Sequence, residues 1–243
     1  MPDRTVLSVT GSERVSFLQG LITNNVPEDA GEIVYAALLT PQGKFIADFF
    51  VVSEDDCLLI DVAESHAAAL FQRLNMYRLR ADVKIEATEL FVSRGLDEAP
   101  SGALNDPRSD ALGWRYYGAE DVSQSVDWDA VRVANAVPAT GIELSPDTYI
   151  LEAGFERLNG VDFKKGCFVG QEIVARMKHK TELRKGIVQV RIEGEASQGD
   201  EITKEGKAVG TLHTVSGDTG LAYLRFDRAD GALTAGEATI SRI

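Results

Sequence analysis

Lys164-Lys165-Gly166-Cys167-Phe168-Val169-Gly170-Gln171-Glu172 is the densest run of chemically specific residues in the chain. Two lysines and a glycine precede a cysteine, and an aromatic and a second glycine follow it. Gln171 and Glu172 then open an amphipathic segment, Ile173-Val174-Ala175-Arg176-Met177. The pattern predicts a strand or loop, a tight turn and a helix, with Cys167 at or just before the helix start. A cysteine there feels the positive end of the helix dipole, and neighbouring lysines add to it; both favour the thiolate. The flanking glycines suit a backbone of unusual dihedrals or a close approach by another molecule. Basic residues continue through Arg176, Lys178, Lys180, Arg184 and Lys185, with Glu172 and Glu182 as the acids between. A local positive surplus in a chain of net charge −13 reads as an anion site.

The rest of the composition bounds the classes. At 243 residues the chain is long enough for a sizeable core and more than one domain. Hydrophobic residues at 44% and charged ones at 26% describe a globular protein. The acidic balance disfavours a general nucleic-acid binder, which needs a broad basic surface. Cys57 and Cys167 are the two cysteines, so neither a disulfide framework nor a cysteine-rich metal site can be built within one chain. No apolar run approaches the roughly 20 residues of a membrane span. No signal pattern is visible at the start, and the cysteine usage suits a reducing compartment, so the expected location is the cytoplasm.

Along the chain, Val6 to Val9 reads as a strand. Thr10-Gly11-Ser12-Glu13 matches a capping box ahead of a short helix. Ile33 to Leu39 and Lys44 to Val52 flank Pro41-Gln42-Gly43 and predict a β-hairpin with Asp48 inside its apolar second strand. Cys57 to Val62 is a strand, Ser65 to Tyr77 has helical spacing, and Val83 to Ala87 and Leu90 to Ser93 are strands. Leu96 to Asp110 is rich in Pro, Gly, Ser, Asp and Asn and predicts a connection between lobes. Leu112 to Tyr117 is strand-like and Trp128 to Ala136 helical. Beyond Lys185, short strands punctuated by glycines predict a small β-barrel or sandwich. The expected domains are 1–95, 96–185 and 186–243, in an α+β fold.

Each candidate residue has a plain alternative. A cysteine packs as a small apolar side chain more readily than it reacts, and a basic run is most simply a solvated helix face. Asp48, Glu152 and Glu172 are each ordinary acids unless they pair with a donor-rich ligand edge. His179, between Lys178 and Lys180, is a surface histidine by the simplest reading. No Walker loop, Rossmann fingerprint or HExxH motif is present.

Lys165-Gly166-Cys167-Phe168-Val169-Gly170-Gln171-Glu172 resembles the K-G-C-aromatic-x-G-Q-E signature of the YgfZ family. These are tetrahydrofolate-binding proteins related to the glycine-cleavage T-protein, an aminomethyltransferase, and mitochondrial members act in iron–sulfur cluster assembly. Phe17 to Val26, Leu39 to Lys44 with Asp48, Asp106-Pro107-Arg108 with Leu112-Gly113, and Gly141 to Leu144 are similar to further family segments. Two departures stand out: Asn25 occupies a position often held by Asp, and Gly154 stands near a usual asparagine. The resemblance implies a T-protein-like ring of two α+β folate-binding lobes plus a small C-terminal β-barrel, with lobes that interleave.

It also implies a function: a tetrahydrofolate-binding accessory protein that supports assembly or repair of iron–sulfur clusters through Cys167. Lys165, Gln171, Glu172, Arg176, Asp48 and Glu152 are the expected folate contacts. Iron–sulfur assembly factors or client iron–sulfur enzymes are the expected partners. One thiolate cannot hold a cluster, so Cys167 would be a ligand only in a site shared with a partner. This is not the profile of an ordinary enzyme. The alternative is a tetrahydrofolate-dependent one-carbon (aminomethyl) transferase, in which a carboxylate orients and moves protons.

Overall fold

The computed structural model describes residues 4–180 and 183–243; the Lys180 side chain and Glu182 of the basic run lie outside the described residues. The chain forms two compact units, Met1–Val126 with Phe155–Ile173, and Asp127–Gly154 with Val174–Ile243. This partition is not the one the composition shift at residue 96 suggests. Leu104 and Tyr117, beyond that point, pack with Leu90 and Val92 on Val6, Val52 and Leu59. The Leu96 to Asp110 segment thus lies within the first unit.

The first unit is built on a five-stranded antiparallel sheet, ordered β2-β3-β4-β1-β5. Its strands are β1 (Arg4–Thr10), β2 (Ile33–Leu39), β3 (Phe45–Ser53), β4 (Leu58–Ala63) and β5 (Lys84–Ala87). Side chains alternate across it with period two. Ala47, Phe49 and Val51 of β3 join Val9, Ile60 and Val62 in the main core. There they meet Leu18 of α1 (Arg14–Gln19) and Leu70 and Leu74 of α2 (Glu64–Arg78). The other face carries Asp48, Phe50 and Val52. A second antiparallel sheet packs there, made of β6 (Phe91–Gly95), β7 (Leu104–Asn105) and β8 (Trp114–Gly118) in the order β6-β8-β7.

The expected capping box is not formed. Glu13, not Thr10, precedes α1, and no side chain caps it. The Glu13 carboxylate accepts from the Asp82 N–H (2.6 Å) and Asp82 accepts from Ser12 Oγ (2.6 Å), so these groups tie the loop before α1 to the approach to β5.

Between the two sheets lies a charged cluster. Asp61, fully buried on β4, accepts from Arg4 Nε (2.5 Å), from both Nε and Nη2 of Arg115, and from Tyr117 Oη (3.0 Å). Asp106 receives a two-pronged contact from Arg108 Nε (2.9 Å) and Nη2 (2.8 Å) and a third from Arg115 Nη1 (3.3 Å). The Phe50 ring sits under three guanidinium groups, with Arg115 at 3.8 Å, Arg108 at 4.8 Å and Arg4 at 5.6 Å from its centroid. Burial alone would raise the Asp61 carboxyl, but Arg115 and Arg4 outweigh it and hold the group at about 2.

The second unit contains a closed barrel, ordered β10-β11-β12-β9-β14-β13. Its strands are β9 (Lys185–Glu193), β10 (Glu201–Lys204), β11 (Lys207–Ser216), β12 (Thr219–Arg225), β13 (Leu233–Ala235) and β14 (Ala238–Arg242). Val190, Ile192, Ile202, Leu212, Leu224 and Ile240 fill its interior. The expected α+β class and C-terminal barrel are both found. The sequence reading misses only β13 among the barrel strands, because three residues carry too little alternation. Helix α3 (Trp128–Ala134) lies against β11 and β12. It is held by Arg132, which donates to Glu143 Oε2 (3.2 Å), Thr214 Oγ1 (2.9 Å) and the Val137 carbonyl (3.0 Å). Helix α4 (Gln171–Lys180) passes from the first unit into the second along the chain.

Candidate functional site

The motif loop is held by a segment that reads as a simple turn in the sequence, Thr23-Asn24-Asn25. Thr23 Oγ1 donates to the Gly160 carbonyl (2.6 Å) and accepts from the Ala37 N–H (2.8 Å). Asn24 Nδ2 donates to the carbonyls of Tyr35 (2.9 Å) and Asn159 (2.8 Å). The Asp162 N–H donates to the Thr23 carbonyl (3.0 Å). Asn25 accepts from Gln19 Nε2 (2.7 Å) and donates to Asp162 Oδ2. This accounts for one departure from the family pattern, since an aspartate at position 25 would set a second carboxylate against Asp162. Gly154 has a φ of 76°, a conformation that glycine adopts freely and asparagine tolerates, which accounts for the other.

Lys165 completes the clamp. Its ammonium donates to the carbonyls of Gln19 (3.0 Å), Ile22 (2.5 Å) and Asn24 (2.7 Å), using all three N–H bonds. Burial pulls the group down to about 8, outweighing Asp162, which pushes it up. Lys165 was expected to contact folate; the geometry instead directs it inward, where it holds the loop. Its ammonium also lies 5.4 Å from the centroid of the buried Phe168 ring. Val169 packs against the main core.

Gly170, with φ of 84°, then turns the chain against the β2–β3 hairpin. A Cβ there would stand 2.7 Å from the Thr40 carbonyl oxygen and 3.1 Å from Gly43 Cα. A Cβ on Gly43 would in turn meet Ile173 Cβ at 2.8 Å. The two glycines therefore let the hairpin turn and the motif close on each other.

The apex of this anchored loop is Gly166-Cys167, and both residues are exposed. The pattern puts Cys167 at or just before the helix start, and the structure sets it before the start, four residues ahead of Gln171. Helix α4 begins at Gln171, whose N–H bonds the Phe168 carbonyl (3.2 Å). Gly166 differs from Gly170. It does not have a positive φ, and a Cβ on it would meet nothing within 4 Å. Among the described residues nothing requires glycine there. Gly170→Ala is expected to cost about 2 kcal/mol or more from the left-handed backbone and the displaced hairpin, and Gly166→Ala less than about 0.5 kcal/mol. Urea midpoints of the two variants check this contrast.

The remaining candidate residues are distributed. Gln171 and Glu172 form the first turn of α4, and Arg176, Lys178 and His179 are exposed further along it. Asp48 is buried and accepts from Tyr35 Oη (2.9 Å); Tyr35 stacks on Phe155 at 5.0 Å. Burial, and then Asp48, push the Tyr35 hydroxyl well above its ordinary value. Glu152 belongs to the second unit. It is buried, with Oε2 accepting from Tyr223 Oη (2.7 Å) and lying 3.7 Å from Lys185 Nζ. It lines a cavity of about 380 Å³ together with Met177, Arg184, Lys185, Arg225 and Asp227. Burial first, and Glu152 second, push the Tyr223 hydroxyl up. The sequence reading misses Tyr223 and the Thr23-Asn24-Asn25 clamp. Among the described residues there is no group of three or more His, Cys, Asp or Glu side chains able to hold a metal ion.

Residues 184–242 match the model of the CAF17 C-terminal beta-barrel domain, which coincides with the closed barrel. The human mitochondrial iron-sulfur cluster assembly factor IBA57 is 30% identical over 276 residues, covering 95% of this chain and 78% of the human protein. The chain belongs to the IBA57 family. The mouse IBA57 protein is 29% identical over 278 residues, with the same coverage of 95% and 78%. The glycine-cleavage aminomethyltransferase T of Bartonella henselae shares the fold, with a TM-score of 0.77, 15% identity, and coverage of 99% of this chain and 82% of that one. These IBA57 relatives, and fungal ones from Mycosarcoma maydis and Neurospora crassa, are named mitochondrial, which overturns the cytoplasmic expectation. Two reduced cysteines suit any reducing compartment and do not single out the cytosol. Among the described residues no helix is long and apolar enough to cross a membrane.

Proposed function

We propose that this IBA57-family protein is a tetrahydrofolate-binding accessory factor that supports assembly or repair of iron–sulfur clusters in client enzymes, with Cys167 as its functional thiol. The motif similarity to the YgfZ family and the names of the relatives both support the reading. One observation carries it: an exposed cysteine and a glycine free of internal constraint form the apex of a loop that is otherwise clamped. Such a loop offers a thiol to another molecule without having to order itself first. A single thiolate leaves the other cluster ligands to a partner, either an assembly factor or the client enzyme.

Folate is the proposed cofactor, and the carboxylates support it. Glu152 lines a cavity of about 380 Å³. A carboxylate so placed suits a donor-rich pterin edge, and the surrounding Arg184, Lys185 and Arg225 suit a carboxylate-bearing tail. Asp48, Gln171 and Glu172 of the first unit and Arg176 of the second are proposed contacts by the motif similarity alone.

In a cell lacking its own family member, Cys167→Ser is expected to lower the activity of client iron–sulfur enzymes at least about tenfold, while calorimetric affinity for tetrahydrofolate stays within about twofold. Full support of those enzymes by the variant removes the thiol from the reading. Absence of any folate affinity removes the cofactor. The T-protein-like fold sustains one second reading, an aminomethyl transferase. Turnover of an aminomethyl donor onto tetrahydrofolate by the purified protein would favour it.

A further inference from the structure

Cys57, the second cysteine, lies in a cleft of about 900 Å³ on the first unit, well apart in sequence from the motif. Leu59, Leu90, Phe91 and Ala119 give it apolar walls, and Ser8 contributes a hydroxyl. Leu90 and Leu59 belong to the small apolar cluster between the two sheets. Phe91, by contrast, is 51% exposed at the start of β6, a large aromatic left half in water on the wall of a concave surface. Exposed aromatics in clefts are characteristic anchors of protein recognition.

The rim of this cleft has one dominant sign. Glu89 lines it directly. Glu54, Asp55 and Asp56 form an exposed acidic turn immediately before Cys57, closed by the Glu54 N–H to Cys57 carbonyl bond (2.9 Å). Glu120 follows the lining residue Ala119 and is exposed. Arg14 is the opposing cation, and its guanidinium is turned to the carbonyls of Gly11 and Asp55 (3.3 Å each). Burial pushes the Cys57 thiol up, and Glu54 and Asp56 add to it, against Ser8 and Arg14.

We infer that this cleft is a docking site for a short partner segment in which apolar residues alternate with lysine or arginine. The apolar walls and the half-exposed Phe91 receive the apolar side chains. Glu89 on the wall, with Glu54 and Asp56 acting on Cys57 beside it, receives the cations. The occupant is a peptide segment because a cleft of about 900 Å³ walled mainly by apolar side chains, with acids beside it, takes several side chains at once.

The test uses the full chain carrying Cys167→Ser, so that Cys57 is its one thiol. Fluorescently labelled acetyl-KLFKL-amide is titrated by anisotropy, with acetyl-ELFEL-amide as the charge-reversed control. The basic peptide is expected to bind at least about tenfold more tightly than the acidic one and to slow alkylation of Cys57 by N-ethylmaleimide at least about threefold. Phe91→Ser and Glu89→Lys, both at exposed positions, should each weaken it about fivefold or more. Equal affinity for the two peptides, unprotected Cys57, or binding indifferent to both substitutions overturns the proposal. So does displacement of the peptide by octylammonium at equal concentration, which would make the cleft a site for small amphiphiles.

Discussion

Asp61→Asn is expected to destabilise the first unit by about 3–5 kcal/mol, because it leaves the buried Arg115 and the partly buried Arg4 without this counter-charge. The substitution keeps the size of the side chain and changes its charge, so packing loss contributes little. Arg115 is 1% exposed and Asp61 0%, so water cannot take over the lost contacts. Asp106 cannot either, since its carboxylate already receives two hydrogen bonds from Arg108 and one from Arg115. The measurement is urea unfolding followed by a probe in the first unit, such as the Trp114 fluorescence. A loss below about 1 kcal/mol would show that the cluster relaxes without Asp61. Acid supplies a second arm. The Asp61 carboxyl is held at about 2 against an ordinary 3.8. A depressed carboxyl gives stability that is fully present above its unfolded value and is lost as pH falls through the folded one. The native chain should therefore lose about 2 kcal/mol from this group between pH 4 and pH 2, and Asp61→Asn should lack that component.

The elements that the sequence reveals are those whose periodicity repeats. Ile33 to Leu39 and Lys44 to Val52 are apolar runs on either side of Pro41-Gln42-Gly43, and the hairpin stands one residue from where the pattern puts it. Ser65 to Tyr77 repeats apolar residues over four turns, and α2 is Glu64–Arg78. The Asp61 cluster was hidden, although a signal was present. Asp61 interrupts the apolar run Leu58-Leu59-Ile60-Asp61-Val62, as Asp48 interrupts β3. A lone carboxylate in a strand otherwise buried on both faces needs a cation. Sixteen arginines and no spatial information cannot say which one, because β8 supplies Arg115 from a different sheet.

The candidate site divides in the same way. Cys167 and the two motif glycines are legible because cysteine and glycine are chemically unlike their neighbours. The roles of the two glycines are not. Gly170 is fixed by the Thr40 carbonyl on a distant hairpin, while Gly166 faces open space. Lys164 and Lys165 are indistinguishable as letters, yet one is exposed and the other is 7% exposed with its ammonium on three carbonyls. Adjacent residues in a loop point in different directions, and only the partner segment 19–24 determines which of the two turns inward.

Lys165→Met is therefore expected to damage the protein although it retains most of the side-chain volume. The methionine can keep the apolar stem in place, but it offers no donor to the Gln19, Ile22 and Asn24 carbonyls. Hydrogen bonds from a charged donor contribute about 1.5–3 kcal/mol each, and these three share one ammonium whose own burial is costly, so a net loss of about 3 kcal/mol is expected. The contact of the ammonium with the Phe168 ring goes with it. Urea unfolding measures the total. Limited chymotrypsin digestion locates it, because Phe168 is 7% exposed in the native loop and cleavage after it should rise at least about tenfold in the variant. Lys164→Met is the control: an exposed neighbour with no such contacts, it should change stability by less than about 0.5 kcal/mol and leave cleavage unchanged. If the loop of Lys165→Met resists cleavage as the native loop does, the carbonyl clamp is not what holds Cys167 in position. If it opens and client-enzyme activity falls with it while Cys167 is still present, presenting the thiol on a fixed loop is part of its function, distinct from merely having a cysteine there.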